Sequence, residues 1–162
     1  MERFLIAIHC EGGGRKAVDY LIRVLNGSRH CELVFFHILP TTSPDKLRKD
    51  EVLRIESIHA ERPDLAGYFW KEEDEKKMYR AFAQAREILV AGGFPDENIS
   101  AHFSVESGDL AYIILEKAAE FGCSTIILGR RRLGRVKQFL LGSVSVAVLK
   151  MARGIAVWVV ED

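Results

Sequence analysis

The sequence predicts an α/β fold built on a doubly wound parallel sheet, and three observations carry that reading. Short, nearly unbroken apolar runs recur along the chain, as strands covered on both faces require. Amphipathic stretches of helical period lie between them. One further run alternates apolar with polar residues, the pattern of a half-exposed edge strand.

The first strand is Phe4 to His9 (FLIAIH). Arg3 ahead of it gives the start of the chain the look of a signal peptide, but the run breaks at His9 and no A-x-A site follows. A helix from Arg15 to Leu25 collects Ala17, Val18, Leu21, Ile22 and Leu25 on one face, and Glu32 to Leu39 (ELVFFHIL) forms the second strand. The stretch Thr41 to Tyr68, preceded by Pro40 and containing Pro44 and Pro63, reads as a variable loop carrying one short helix inside a single domain spanning residues 1–162. Lys71 to Ala91 is a longer helix with Phe82, Ala85, Ile88 and Leu89 as its apolar stripe. It opens on the solvated turns KEEDEKK and stops at Gly92-Gly93. Ile99 to Val105 is the alternating edge strand, and Asp109 to Phe121 is a crossover helix. Thr125 to Leu128 (TIIL) is the fourth strand, Gly142-Ser143 opens the apolar helix SVSVAVLKMA, and Gly154 to Val160 (GIAVWVV) is the fifth strand.

A chain of 162 residues, 48% of them hydrophobic, is about one domain and can bury a sizeable core. Lysines plus arginines and aspartates plus glutamates are balanced at 23 each, so no global field draws the chain to nucleic acid or to an anionic membrane. No apolar stretch reaches the roughly 18 residues of a membrane-spanning helix. Cys10, Cys31 and Cys123 are widely spaced and contain no CxxC, which argues against a disulfide framework or zinc module and fits a reducing, cytoplasmic setting.

Ligands of open α/β sheets bind beyond the carboxyl ends of the strands, so those ends hold the candidate residues. Gly12-Gly13-Gly14-Arg15-Lys16-Ala17 matches the dinucleotide fingerprint, with Glu32 about 20 residues on. Glu32, however, opens its strand and stands at the wrong edge of the sheet for a ribose, so the glycines read as a turn. His9, Cys10 and His37 suggest a metal, but neighbouring side chains on a strand point to opposite faces, and no carboxylate completes the set. No Ser/His/Asp ordering and no paired carboxylates point to catalysis. The stretch from Gly129 to Ser143 is more specific. Gly129 closes a strand, the loop carries Arg130, Arg131, Arg132, Arg135 and Lys137, and Gly142-Ser143 starts a helix, so charge, glycine and helix N-terminus meet where an anion such as phosphate would sit.

These residues resemble the universal stress protein family, whose nucleotide-binding members carry G-x2-G-x9-G-[ST] after the fourth strand. The frame here is Gly129, Arg132 at the second glycine, then Gly142-Ser143, accompanied by the HILP ending of the second strand, the FLLGSVS run and a final apolar strand. The resemblance implies a three-layer sandwich, Rossmann-like and adenine-nucleotide alpha hydrolase-like, with a five-stranded parallel sheet in the order 3-2-1-4-5. It implies ATP or another adenine nucleotide as ligand, with adenine near Ile8 and Ile38, ribose near Gly129, and phosphates against Gly142, Ser143, Val144 and Ser145. It also implies a homodimer through the Gly154 to Val160 strand and a stress-response role. Two positions depart from the family: His9 stands where nucleotide-binding members have aspartate, and Arg132 replaces a glycine. Arg132 either pairs with phosphate, as Arg130 and Arg131 can, or fills the pocket. Two readings follow: a regulatory protein with an altered nucleotide or anion site that binds without turnover, or an ATP-binding member with slow hydrolysis.

Overall fold

The computed structural model describes residues 1–9, 14–130, with the backbone alone at Arg130, and 142–161. Five strands form one sheet in the order β3-β2-β1-β4-β5, where β1 is Glu2–Ala7, β2 Cys31–Leu39, β3 Ile99–Val105, β4 Thr125–Arg130 and β5 Ala156–Glu161. Every neighbouring pair is parallel. The strand order expected from the family resemblance is the one observed. The chain winds outward from β1 through β2 to β3, then returns to lay β4 on the other side of β1, so the crossovers diverge above the β1–β4 junction. That divergence leaves a crevice at the carboxyl ends of the strands.

Alternation along the strands divides the core. Phe4 and Ile6 of β1 face one apolar cluster with Leu33 and Phe35, while Leu5 faces a second with Phe36, Ile126 and Leu128. Helices α1 (Arg15–Leu25) and α3 (Glu72–Ala91) cover the first cluster through Val18, Leu21, Phe82 and Leu89. Helices α4 (Leu110–Glu120) and α5 (Ser143–Met151) cover the second through Ile113, Ile114 and Val148. Burial on both faces is why these strands read as continuous apolar runs.

Local chemistry sets the helix ends. The Asp109 carboxylate accepts from the backbone N–H groups of Ala111 and Tyr112 at 2.9 and 3.3 Å, capping α4. Gly92 ends α3 where a Cβ would come within 2.7 Å of Ile22, so glycine is what lets α1 and α3 approach there.

The second crossover is larger than the single short helix the sequence suggested. Between Thr42 and Phe69, which form an antiparallel bridge, lies α2 (Lys49–Glu61), a helix of 13 residues flanked by 3-10 turns at Pro44–Lys46 and Pro63–Leu65. Only Ile55 of α2 is fully buried, and polar contacts fasten the helix to α3. The Arg54 guanidinium donates to both carboxylate oxygens of Glu75 at 2.9 and 2.6 Å, and the buried Trp70 indole N–H donates to the same group at 3.0 Å. Arg48 donates to Glu72 at 2.9 Å.

Candidate functional site

A cavity of about 500 Å³ opens at the carboxyl ends of β1, β2 and β4, within the size range of small-molecule sites. The exit of β1 contributes Ala7, Ile8 and His9; that of β2 contributes Phe36, His37, Ile38 and Pro40; that of β4 contributes Leu128 and Gly129. The start of α5 supplies Gly142 to Ser145, α4 supplies Leu110 and Ile114, and α3 supplies Asp74 and Lys77.

Sheet geometry aims a backbone edge into this space. The Glu106 N–H donates to the Leu39 carbonyl at 2.9 Å, so the Leu39 peptide faces β3. The Ile8 N–H donates to the Phe36 carbonyl at 2.9 Å, so the Phe36 peptide faces β1. Peptide direction alternates along a strand, and the N–H and carbonyl of Ile38 therefore also point toward β1, whose ladder ends at Ala7. One donor and one acceptor thus lie on the β1 side of Ile38, with the Ile8 side chain on the α1–α3 face of the sheet and the Ile38 side chain on the α4–α5 face.

At the other end of the cavity α5 begins. Its first turn closes with the Val146 N–H donating to the Gly142 carbonyl at 3.1 Å, which leaves the N–H groups of Ser143, Val144 and Ser145 as the donors that a helix cannot satisfy within itself. Gly142 has no side chain to cap them, no acidic residue lies in that turn, and a Cβ at Gly142 would meet nothing within 4 Å. The helix dipole and these donors favour an anion.

His37 bridges the two strand ends. Its Nδ1 lies 2.7 Å from the Ile8 carbonyl, which can only accept, so Nδ1 carries the proton and in the neutral ring Nε2 is an acceptor. Burial is the largest influence and holds its pKa below the ordinary 6.5, against the bond to Ile8 and the charge of Asp74, which both favour the cation. Burial likewise lowers His102, helped by Arg62. In the unfolded chain these rings take up protons as pH falls through about 6.5, while the folded protein resists, so stability present above that pH is lost on acidification. Melting temperature is expected to fall as pH drops below about 6.5, less steeply in His37→Gln. A flat profile below that pH would overturn this assignment.

The cavity brings together Ile8, His9, Ile38, Gly129, Gly142, Ser143, Val144 and Ser145, all candidates from sequence. Arg131, Arg132 and Cys10 lie outside the described residues, as does the side chain of Arg130. Glu32 pairs with Arg3 at the amino end of the sheet, away from the cavity. Asp74 and Lys77 do not stand out in the sequence, because the acid-rich opening of α3 reads as solvated. Their spacing of three residues, which puts both on one helix face, was the available signal. Among the described residues no group of three or more histidines, cysteines or carboxylates is arranged to hold a metal.

A family model described as "Universal stress protein family" matches residues 1–161. No curated protein matches the chain. Among solved structures, a universal stress protein from Archaeoglobus fulgidus superposes with a TM-score of 0.68 at 16% identity, covering 98% of this chain and 98% of that one. The universal stress protein of the same organism in complex with dAMP gives 0.64 at 16%, covering 98% and 97%. An Arabidopsis thaliana protein of the universal stress protein family with AMP bound gives 0.63 at 10%, covering 99% and 92%. At such identities these likenesses speak to the fold.

Proposed function

The chain belongs to the universal stress protein family, and we propose that it is a cytoplasmic stress-response regulator that binds an adenine nucleotide in this cavity and acts through binding, not turnover. One observation carries the reading: the apolar Ile8 and Ile38 with the Ile38 peptide edge, and an anion-favouring helix start at Gly142 to Ser145, line the same 500 Å³ cavity. Adenine lies against Ile8 and Ile38 and matches the Ile38 peptide through N1, an acceptor, and the 6-amino group, a donor. Ribose passes Gly129, and phosphate rests on the first turn of α5. The site is altered at His9, an imidazole where nucleotide-binding members carry aspartate. The related structures titled as holding dAMP and AMP support an adenine nucleotide as the ligand class.

The test is adenine absorbance released on denaturing the purified protein, followed by calorimetric titration of the emptied protein with AMP and ATP. Bound adenine or saturable binding of either nucleotide is the expected result. Neither carriage nor binding at millimolar nucleotide would overturn the reading, and steady hydrolysis of ATP would replace the binding role with an enzymatic one.

The family also supports a homodimer through β5. Among the described residues this strand pairs with β4 on one side only, and from Ala156 to Val160 it carries no charge to protect its outer edge. Val157 packs against the α4–α5 cluster, so a lysine there would disturb the core, whereas Val159 belongs to neither core cluster. Val159→Lys is expected to shift a dimer to monomer in light scattering at micromolar concentration with little change in melting temperature. A monomeric wild type would sink this assembly.

A further inference from the structure

We propose that Asp74 of α3 selects the base, its carboxylate accepting a hydrogen bond from the exocyclic amino group of adenine at the end of the cavity opposite α5. The proposal rests on the reading of this cavity as an adenine-nucleotide site and names the side chain that gives it specificity.

The opening turn of α3 holds Glu72, Glu73, Asp74 and Glu75, and helical rotation sends them to different places. Glu72 receives Arg48, Glu73 lies 3.3 Å from the Lys77 ammonium, and Glu75 is buried against Arg54 and Trp70. Asp74 instead lines the cavity. It is the sole carboxylate among the described residues that do so.

Its place along the cavity follows from the sheet. Helix α3 packs over β2, and the Asp74 charge acts on His37, the neighbour of Ile38. Helix α5 lies on the opposite face of the sheet with its N-terminus toward β4, on the far side of β1. The cavity therefore has polarity: helix-start N–H donors and a positive dipole at the α5 end, and at the β2 end the Asp74 carboxylate, with the Lys77 ammonium one turn further along α3. A nucleotide has the matching polarity, with phosphate at one end and, in adenine, an amino group at the other. That amino group has two hydrogens. The Ile38 carbonyl can take one as the Ile38 N–H reaches N1, and a carboxylate above β2 can take the second. Pro40, the next residue but one, has no N–H to offer, so the rest of this edge must be read by side chains. A base with oxygen in place of the amino group, as in hypoxanthine, presents an acceptor to an acceptor and is rejected. Asp74 thereby supplies from α3 the acidic side chain that His9 does not provide at the end of β1.

The experiment is calorimetric titration of the full chain with AMP and with IMP, for wild type, Asp74→Ala and the near-isosteric Asp74→Asn. Wild type is expected to prefer AMP by at least about tenfold, the worth of one charge-assisted hydrogen bond. Asp74→Ala should lose about that factor for AMP alone, so that the preference narrows to what the Ile38 peptide alone supplies, with the melting temperature unchanged. Should the alanine variant not fold, Asp74→Asn decides: its amide both donates and accepts, and the preference should narrow. An AMP/IMP ratio equal to wild type in the folded variant overturns the assignment, as does a wild type that binds both equally. A wild type that binds neither nucleotide overturns the site reading as well.

Discussion

Glu75→Ala is expected to cost about 2–4 kcal/mol of stability, a fall of roughly 5–15 °C in Tm for a chain of this length. The Glu75 side chain is 8% exposed and accepts three hydrogen bonds, two from Arg54 and one from the Trp70 indole. Removing it strands the Trp70 N–H in a site where that residue is 0% exposed, and an orphaned buried donor costs on the order of 1–3 kcal/mol. Arg54 is 39% exposed and can turn to water, which is why the estimate stays below that for a fully buried pair. The lost Cγ methylene and carboxylate leave a small cavity at this buried position. Glu75→Gln keeps one acceptor for the indole and should lose about half as much. Because Arg54 and Glu75 join α2 to α3, Asp74 on the adjacent position should also lose its placement, and AMP affinity should fall together with Tm in the alanine variant. A melting curve within about 2 °C of wild type would show that this contact does not anchor the crossover.

The same contact explains what the sequence leaves hidden. The inner strands are legible because burial on both faces writes a run such as ELVFFHIL into the chain, and α1 because its apolar face is complete. Strand limits drift by a residue or two: the ladder begins at Glu2 paired with Cys31, not at Phe4, since pairing is set by the neighbour and not by apolarity. Helix α2 carries a single buried apolar position, Ile55, and is held by Arg54 and Arg48 reaching 21 and 24 residues along the chain, so no local period announces its length. The site divides in the same way. Ile8, Ile38, Gly129 and Gly142 to Ser145 sit at strand and helix ends, which a doubly wound fold designates for ligands before any coordinates exist. Asp74 and Lys77 sit within KEEDEKK, where four consecutive acids look alike. Only the packing of α3 over β2 decides which of them turns inward.

Ser143→Glu is expected to weaken AMP binding by about two orders of magnitude, roughly 3 kcal/mol, while leaving the fold intact. The substituted carboxylate stands at the first residue of α5, among the N–H groups proposed to hold the phosphate, and two anions a few ångströms apart at an effective dielectric near 20 repel by about that amount. The same carboxylate suits the helix. An acidic group in the first turn complements the dipole and adds roughly 0.3–1 kcal/mol, so Tm should hold or rise slightly. Loss of binding with retained stability separates a damaged site from a damaged protein. Ser143→Ala removes only a hydroxyl and should cost AMP about 0.5–1.5 kcal/mol. Adenosine, which has no phosphate, supplies the internal control: its affinity should be nearly equal in wild type and Ser143→Glu, because the base and ribose rest on Ile8, Ile38 and Gly129 at the other end of the cavity. If AMP binding survives the glutamate, the phosphate does not sit on α5. If adenosine is lost in equal measure, the substitution has closed the cavity and the polarity assigned to it is wrong.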